Sequence, residues 1–473
     1  MTGRSGSTPG SGPRSRPGST PGSGPGAGDA AAGAEGGGPL DGPAEAEVEA
    51  AARGLSGWLR HHAMDTRPLR IPAFRRQIIG QGTSFIGSML TAVAVPVQVY
   101  RLSHSSLQVG LVGLVGLLPL VVFGLYGGAI ADVVDRRTLY IASSLGTWAV
   151  TLGLLLQTVL EVANVPLILA LVAIQSATFA AASAARGAII PRIVSTELMP
   201  AANTMSFTVG NVGQVIGPLL AGVLVTRHNG FGYAYGVDAV LFSLALYAAV
   251  RLPSIPPDGG AEQRAGFRSV LVGLQFIATR PVLLMSFAVD IVAMVFAMPR
   301  ALYPQVADDR WGGQVGPLYA AIAIGAVLAG LTSGWIGRVR RQGVALTGAI
   351  VGWGLCVAAA GLAHQLWLAV GLLAFAGAAD LVSAVYRQTI LQTYAPDEMR
   401  GRMQGVFIVV VAGGPRLGDL RAGATAAFSS VTLSWVGGGL LCVVLVLLTA
   451  PVVRPFWHYD AEAVLAGTIA APD

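Results

Sequence analysis

Leu107-Gln-Val-Gly-Leu-Val-Gly-Leu-Val-Gly-Leu-Leu-Pro-Leu-Val-Val-Phe-Gly-Leu-Tyr-Gly-Gly-Ala-Ile-Ala-Asp132-Val-Val-Asp135-Arg136-Arg137 is the stretch whose reading decides the fold. From Leu107 to Ala131 no side chain is charged at neutral pH. A helix needs about 20 apolar residues to cross the hydrocarbon core of a bilayer. The run is therefore long enough to span, and it ends abruptly in two acids and two arginines. Its glycines are compatible with close helix–helix contact in a membrane.

Eleven further runs of this kind flank it. With the quoted one they fall near 77–100, 107–132, 139–161, 164–186, 204–226 and 231–252, then near 281–303, 315–337, 343–363, 366–388, 402–427 and 431–453. Composition agrees: of 473 residues, 53% are hydrophobic and 11% charged, against about 25% charged in a soluble domain. The expected fold is an all-α integral membrane protein of twelve transmembrane helices.

Arginine sets the orientation. There is no lysine; all 30 basic residues are Arg, giving a net charge of +6. With a cytoplasmic N-terminus, Arg67, Arg70, Arg75, Arg76, Arg136, Arg137, Arg192, Arg264, Arg268, Arg280, Arg338, Arg340, Arg341, Arg400, Arg402 and Arg454 all lie inside. Only Arg101, Arg227, Arg300 and Arg310 are left outside. The positive-inside rule then predicts that both termini are cytoplasmic.

The chain divides accordingly. Residues 1–45, rich in Gly, Pro, Ser and Ala, read as a disordered tail and not as a signal peptide. Residues 46–76 read as a cytoplasmic and interfacial segment, 77–252 as a six-helix bundle, 281–453 as a second one, and 454–473 as a cytoplasmic tail. The connection 253–280 carries Phe267, Val270, Leu271, Leu274 and Ile277 at helical spacing, as expected for a helix lying on the membrane surface.

The two halves repeat one another. At an offset of 201 residues Arg186 meets Arg387, Glu197 meets Glu398, Gly213 meets Gly414, Gly217 meets Gly418 and Gly222 meets Gly423. Parallel repeats of this sort are a transporter feature, with substrate bound between the halves.

The loop Gly128-Ala-Ile-Ala-Asp132-Val-Val-Asp135-Arg136-Arg137 resembles the signature loop between the second and third helices of the major facilitator superfamily. Val133 and Asp135 depart from the usual pattern, and in the second half Arg338 stands where the acid would be. Pro191-Arg192 with Glu197 and Pro200-Ala-Ala-Asn203 resembles the enterobactin-exporter-like branch. So do Asp290 to Arg300, Pro396 to Arg402 and Gly413 to Asp419. The resemblance covers residues 70 to 455 and implies two pseudo-symmetric six-helix bundles, the major facilitator fold. It implies export of a solute, driven by an ion gradient, from a bacterial inner membrane.

Ionisable groups at membrane depth are the natural candidates for mechanism. Asp290 lies about 14 Å into the seventh run, and Asp380 lies similarly far along the tenth. Arg416 and Asp419, three residues apart in the eleventh, share a face. One or more of these aspartates would carry a proton, its affinity changed by an arginine that approaches and withdraws. The alternative is a static network that holds the second bundle. All of these charges fall in the second half.

The loop of Gly128, Asp132, Arg136 and Arg137 is the expected cytoplasmic gate. Asp132 has two possible partners, the N-terminus of the eleventh helix and Arg186. Gly213, Gly217, Pro218 and Gly222 in the fifth run match glycine–proline patterns of proton-coupled exporters in the superfamily, and equally a packing motif. Gln81, Ser84, Thr91 and Gln98 of the first run would line a mostly apolar cavity suited to a lipophilic or amphipathic small molecule.

Other classes fit poorly. No G-x-x-x-x-G-K-[ST] loop serves an ATPase and no H-E-x-x-H a metalloenzyme; neither a cofactor nor a metal site is expected. Cys356 and Cys442 both sit in apolar runs. Nucleic acid is not an expected partner; small-molecule substrate, protons and the bilayer are, for a protein acting as a monomer. Uptake, lipid movement and a transporter-like sensor remain as alternatives.

Overall fold

The computed structural model describes residues 65–131, 134–254, 267–394 and 400–460. The tail, the segment at 46–64 and the loop positions Asp132 and Val133 lie outside the described residues.

The described chain is helical. In order come α1 (Pro72–Ser103), α2 (Ser106–Ala131), α3 (Arg136–Val159), α4 (Val165–Ile193), α5 (Met199–Val225) and α6 (Gly230–Val250). Then follow α7 (Phe267–Ala278), α8 (Pro281–Phe296), α9 (Tyr303–Trp311), α10 (Gly316–Leu331), α11 (Gln342–Leu362), α12 (Leu366–Tyr394), α13 (Arg400–Phe428) and α14 (Val431–Thr449). Local chemistry starts several of them. Proline occupies the first turn of α1, α4, α5, α8 and α10, where its missing N–H costs nothing. Asp135, Asn164 and Ser430 cap α3, α4 and α14 by accepting from the N–H of Thr138, Leu167 and Leu433.

Among the described residues, ten helical segments are long and apolar enough to cross a membrane. Two further helices fall outside that set for different reasons. α10 is apolar but has 16 residues, and α13 has 29 residues but carries Arg416, Asp419 and Arg421 in its interior. The chain is a multi-pass membrane protein.

Several boundaries differ from the sequence expectation. The seventh run does not continue to 303: α8 ends at Phe296, and a 3-10 turn (Arg300–Leu302) leads into α9. Pro299 explains the break, since it disfavours helix at the residue before it. The eighth run ends at Leu331 and continues as a 3-10 segment (Ser333–Arg338) containing Gly334 and Gly337. α4 runs on to Ile193, through Pro191, so Arg186 sits inside the helix and not at its end. In α7 the expected stripe splits. Ile277 is buried, while Leu271 and Leu274 are exposed on the protein, open to the bilayer.

Helix pairing is duplicated. α1 packs on α5 and α6, α2 on α4, and α3 on α4 and α6. In the second half α8 packs on α13 and α14, α10 on α12, and α11 on α12 and α14. Each first-half pair has a second-half image. Gly213 and Gly217 face Phe85 and Met89 of α1; Gly414 and Gly418, at the 201-residue offset, face Met294 of α8 and Met298 just beyond its end.

The halves meet through α2 with α13 and α5 with α10. These contacts use small residues. Gly222 of α5 abuts Gly316 of α10, where an added Cβ would come within 2.5 Å of the Gly316 Cα. Its image Gly423 abuts the Ser106 carbonyl of α2. A Cβ on Gly110 would lie 2.6 Å from the Asp419 carbonyl. Ser106 also donates to Gln305 of α9 at 2.6 Å. All four contacts lie near the starts of α2, α9 and α10 and in the second halves of α5 and α13. Farther along, a Cβ added at Gly124 of α2 or Gly210 of α5 would meet nothing within 4 Å.

Candidate functional site

Among the described residues, three sets of interior polar groups stand out. The first is an ion pair in the second half. Asp290 of α8 and Arg387 of α12, 1% and 6% exposed, bind each other through carboxylate Oδ2 and guanidinium Nη1. The Phe407 ring lies 6.0 Å from the guanidinium carbon and stacks edge-on with Phe287. The pair is thus walled by aromatics. Such burial makes both charges depend on each other, because removing one leaves the other unpaired in a dry site.

Around the pair lie the other second-half candidates. Asp380, half-buried on α12, is within electrostatic reach of Arg387 and Arg300. Asp419 accepts from the Ala301 N–H at 3.1 Å, tying α13 to the turn after α8. Arg416 donates to the Ala412 carbonyl of its own helix at 3.2 Å. Arg416 and Asp419 lie on one helix within electrostatic reach of each other, while their hydrogen bonds go to different backbone groups. Among the described residues of the buried interior, the arginine in an ion pair with an aspartate is Arg387, which enters the sequence reading only as the repeat partner of Arg186.

The second set lies in the first half and corrects the expectation that membrane charges belong to the second. Asp238 of α6, 1% exposed, accepts from Thr91 of α1 at 2.5 Å and Thr151 of α3 at 3.3 Å. An added Cβ at Gly87 would collide with its Oδ1. One turn away, Tyr235 donates to Gln98 at 2.6 Å, and Gln157 donates to Thr158 at 2.8 Å. Thr91 and Gln98 thus serve the interior of the first bundle and not a cavity between the halves. The signal for Asp238 was available: it stands in the middle of an apolar run, by the same rule that selects Asp290.

The third set surrounds Arg186. A cleft of about 20 Å³ lies between α1, α3, α4 and α6, lined by Arg186 with Ser84, Ser88, Ser144, Thr147 and Tyr140. A much larger groove, of about 830 Å³, runs along α10, α11 and α12. It is lined by Leu328, Leu331, Trp335 and Phe375 among others and holds no charged group. Leu331 and Phe375 are 80% and 71% exposed, a surface fit for acyl chains.

Of the loop residues expected to gate, Gly128 falls in the last turns of α2 and Asp132 lies outside the described residues. Arg136 is buried. Arg137 donates to the Val250 carbonyl at 2.7 Å, and Arg76 to Arg251 at 2.9 Å, so both close the C-terminal end of α6. Arg421 does the same for α8 through the carbonyls of Val295 and Phe296, and Arg310 for α11 through Gly361 and Ala363. Pro218 lies within α5, its carbonyl against Gly316.

Comparison with known proteins places this arrangement. The family model described as transmembrane secretion effector matches residues 63–466. The chain belongs to that family, within the major facilitator superfamily. It is 30% identical over 406 residues to the enterobactin exporter EntS of Escherichia coli O6:K15:H31 (strain 536 / UPEC), covering 84% of this chain and 96% of that protein. It is 31% identical over 394 residues to EntS of Escherichia coli O139:H28 (strain E24377A / ETEC), covering 81% and 93%. The nucleoside transporter NupG matches in structure with a TM-score of 0.65 at 13% identity, over 82% of this chain and all of NupG (100%). A bacterial homologue of the human lysosomal transporter Spinster, crystallised inward-facing and unoccupied, matches at 0.59 and 16% identity, over 85% and 99%. The chain is a transporter of the major facilitator type and not an enzyme.

Proposed function

We propose that this family member exports a lipophilic or amphipathic small molecule across a bacterial inner membrane by proton-coupled alternating access. It has twelve spans, both termini in the cytoplasm, and acts as a monomer. The observation that carries the reading is the way the halves touch. They close on each other through α2 with α13 and α5 with α10, at the end where Gly110, Gly222, Gly316 and Gly423 let backbones approach. In the proposed topology this is the outer end, so the structure corresponds to an inward-open state. The similarity to an enterobactin exporter supports the outward direction and a natural-product, siderophore or drug-like cargo.

Coupling is assigned to Asp290 and Arg387. A carboxylate beside an arginine in a dry site keeps its charge only while the arginine stays. Rearrangement of α8 against α12 between the two states would separate them and allow Asp290 to take a proton. Asp380 is the next group in line, and the loop from Gly128 to Arg137 closes the cytoplasmic side in the opposite state.

The test is uptake of a lipophilic dye panel into everted membrane vesicles with an imposed pH gradient. The expected result is gradient-dependent accumulation that the uncoupler abolishes. In Asp290→Asn the dependence on the gradient should be lost, with at least a tenfold slower uphill rate; Asp290→Asn with Arg387→Gln controls for the arginine left behind. Uphill transport unaffected by collapsing the gradient overturns proton coupling.

A further inference from the structure

We propose that Arg186 is the recognition residue for an organic oxyanion on the cargo, so that this exporter prefers acidic amphipathic molecules over neutral ones of the same shape. The inference rests on the export reading above and adds the chemical class of substrate.

The argument starts from the repeat. Arg186 of α4 and Arg387 of α12 occupy equivalent positions, 201 residues apart, on helices that pair alike with their neighbours. Their surroundings differ in one respect. Arg387 is cancelled by Asp290 of α8. The glycine contacts match Phe85 and Met89 of α1 to Met294 and Met298, so the position equivalent to Asp290 is Gln81, and α1 carries no acid. Arg186 makes no hydrogen bond or ion pair among the described residues. A half-buried guanidinium is costly at membrane depth unless something answers it.

What faces it instead is a set of hydroxyls. Ser84 donates to the Gln81 carbonyl and Thr147 to the Ser143 carbonyl. The hydroxyls of Ser88, Ser144 and Tyr140 are uncommitted among the described residues and line the same cleft. One fixed positive charge with several O–H donors is the composition of an anion site, and a guanidinium matches carboxylate, sulfonate or phosphate oxygens in geometry. Phe85, Phe179 and Phe242 complete the lining and suit an apolar body next to the charged head. The volume, about 20 Å³, is that of a single water-sized group. The cleft therefore takes the tip of an anionic group while the rest of the molecule lies outside it.

The experiment measures binding to the full chain in phosphatidylcholine nanodiscs, which carry no net lipid charge to compete. The probes are 1-pyrenebutyrate and 1-pyrenebutanol, which share an aromatic body and differ in the acid. Energy transfer from protein tryptophans to pyrene, corrected against empty nanodiscs, reports binding. The wild type is expected to bind the acid at least tenfold more tightly than the alcohol. Arg186→Gln should remove that preference with little change for the alcohol, and Arg186→Lys should keep most of it. Arg387→Gln combined with Asp290→Asn should leave the preference intact. Equal binding of both probes by the wild type, or a preference that survives Arg186→Gln, overturns the proposal. A gating role for Arg186 would slow transport of both probes and leave the binding preference in place. Because binding is read without transport, failure of export with the preference preserved would count against the export reading alone.

Discussion

Asp290 and Arg387 hold opposite charges where water does not reach, and each is worth keeping only while the other is present. The expected energetics are asymmetric. Arg387→Met alone strands a carboxylate and should destabilise the protein by about 3–5 kcal/mol, whereas the double change with Asp290→Leu should recover most of the loss. Thermal unfolding of the four combinations in detergent checks this; additive losses would mean that the two side chains do not act as a pair. Legibility at this scale was partial. Asp290 and Asp380 declare themselves as acids in apolar runs. Their partner does not, because Arg387 lies near the end of an apolar run, where an arginine reads equally well as a topology charge. Asp238 shows the same limit from the other side. Among the described residues its partners are hydroxyls and not a cation: the site is built from Thr91, Thr151 and the space left by Gly87, which no spacing rule assembles across three helices.

At the scale of the helix, two kinds of glycine divide the labour. Gly213 and Gly217 bring α5 against α1 within one half, while Gly222 brings α5 against α10 across the halves. Substitution should separate them. Gly222→Leu cannot be seated against Gly316 without moving the backbone, so closure at that end fails. The expected result is a transport rate down at least tenfold with normal helix content by circular dichroism. Gly423→Leu, its repeat image, should behave alike. Gly213→Leu instead collides with Phe85 inside a bundle and should cost about 1–3 kcal/mol of stability. If Gly222→Leu transports normally, the contact has no part in closure. The glycines were legible as a repeat but not as contacts with named partners. The breaks after Phe296 and Leu331 were missed for a local reason: the hydropathy of both runs continues past the point where Pro299 and the glycines at 330, 334 and 337 end the helix.

Across the molecule, run length and the internal repeat both point to the helical architecture the structure has, while the arginine pattern carries the proposed orientation. The repeat proved the most informative, since the helix pairs of one half map onto those of the other. Beyond the proposed orientation, Arg76, Arg137, Arg310 and Arg421 each close a helix end through its last carbonyls. What sequence alone withheld was the state, because which end is shut depends on contacts between distant segments. The central claim is that the end now shut must open during transport, and a reversible cross-link tests it. Ser106 and Gln305, joined across the halves by a hydrogen bond of 2.6 Å, are changed to cysteine in a chain carrying Cys356→Ala and Cys442→Ala. A short bifunctional methanethiosulfonate then bridges them in vesicles loaded with a transported dye. Alternating access predicts that bridging stops transport and that reduction restores it; a bridged protein that transports at its full rate would contradict the account.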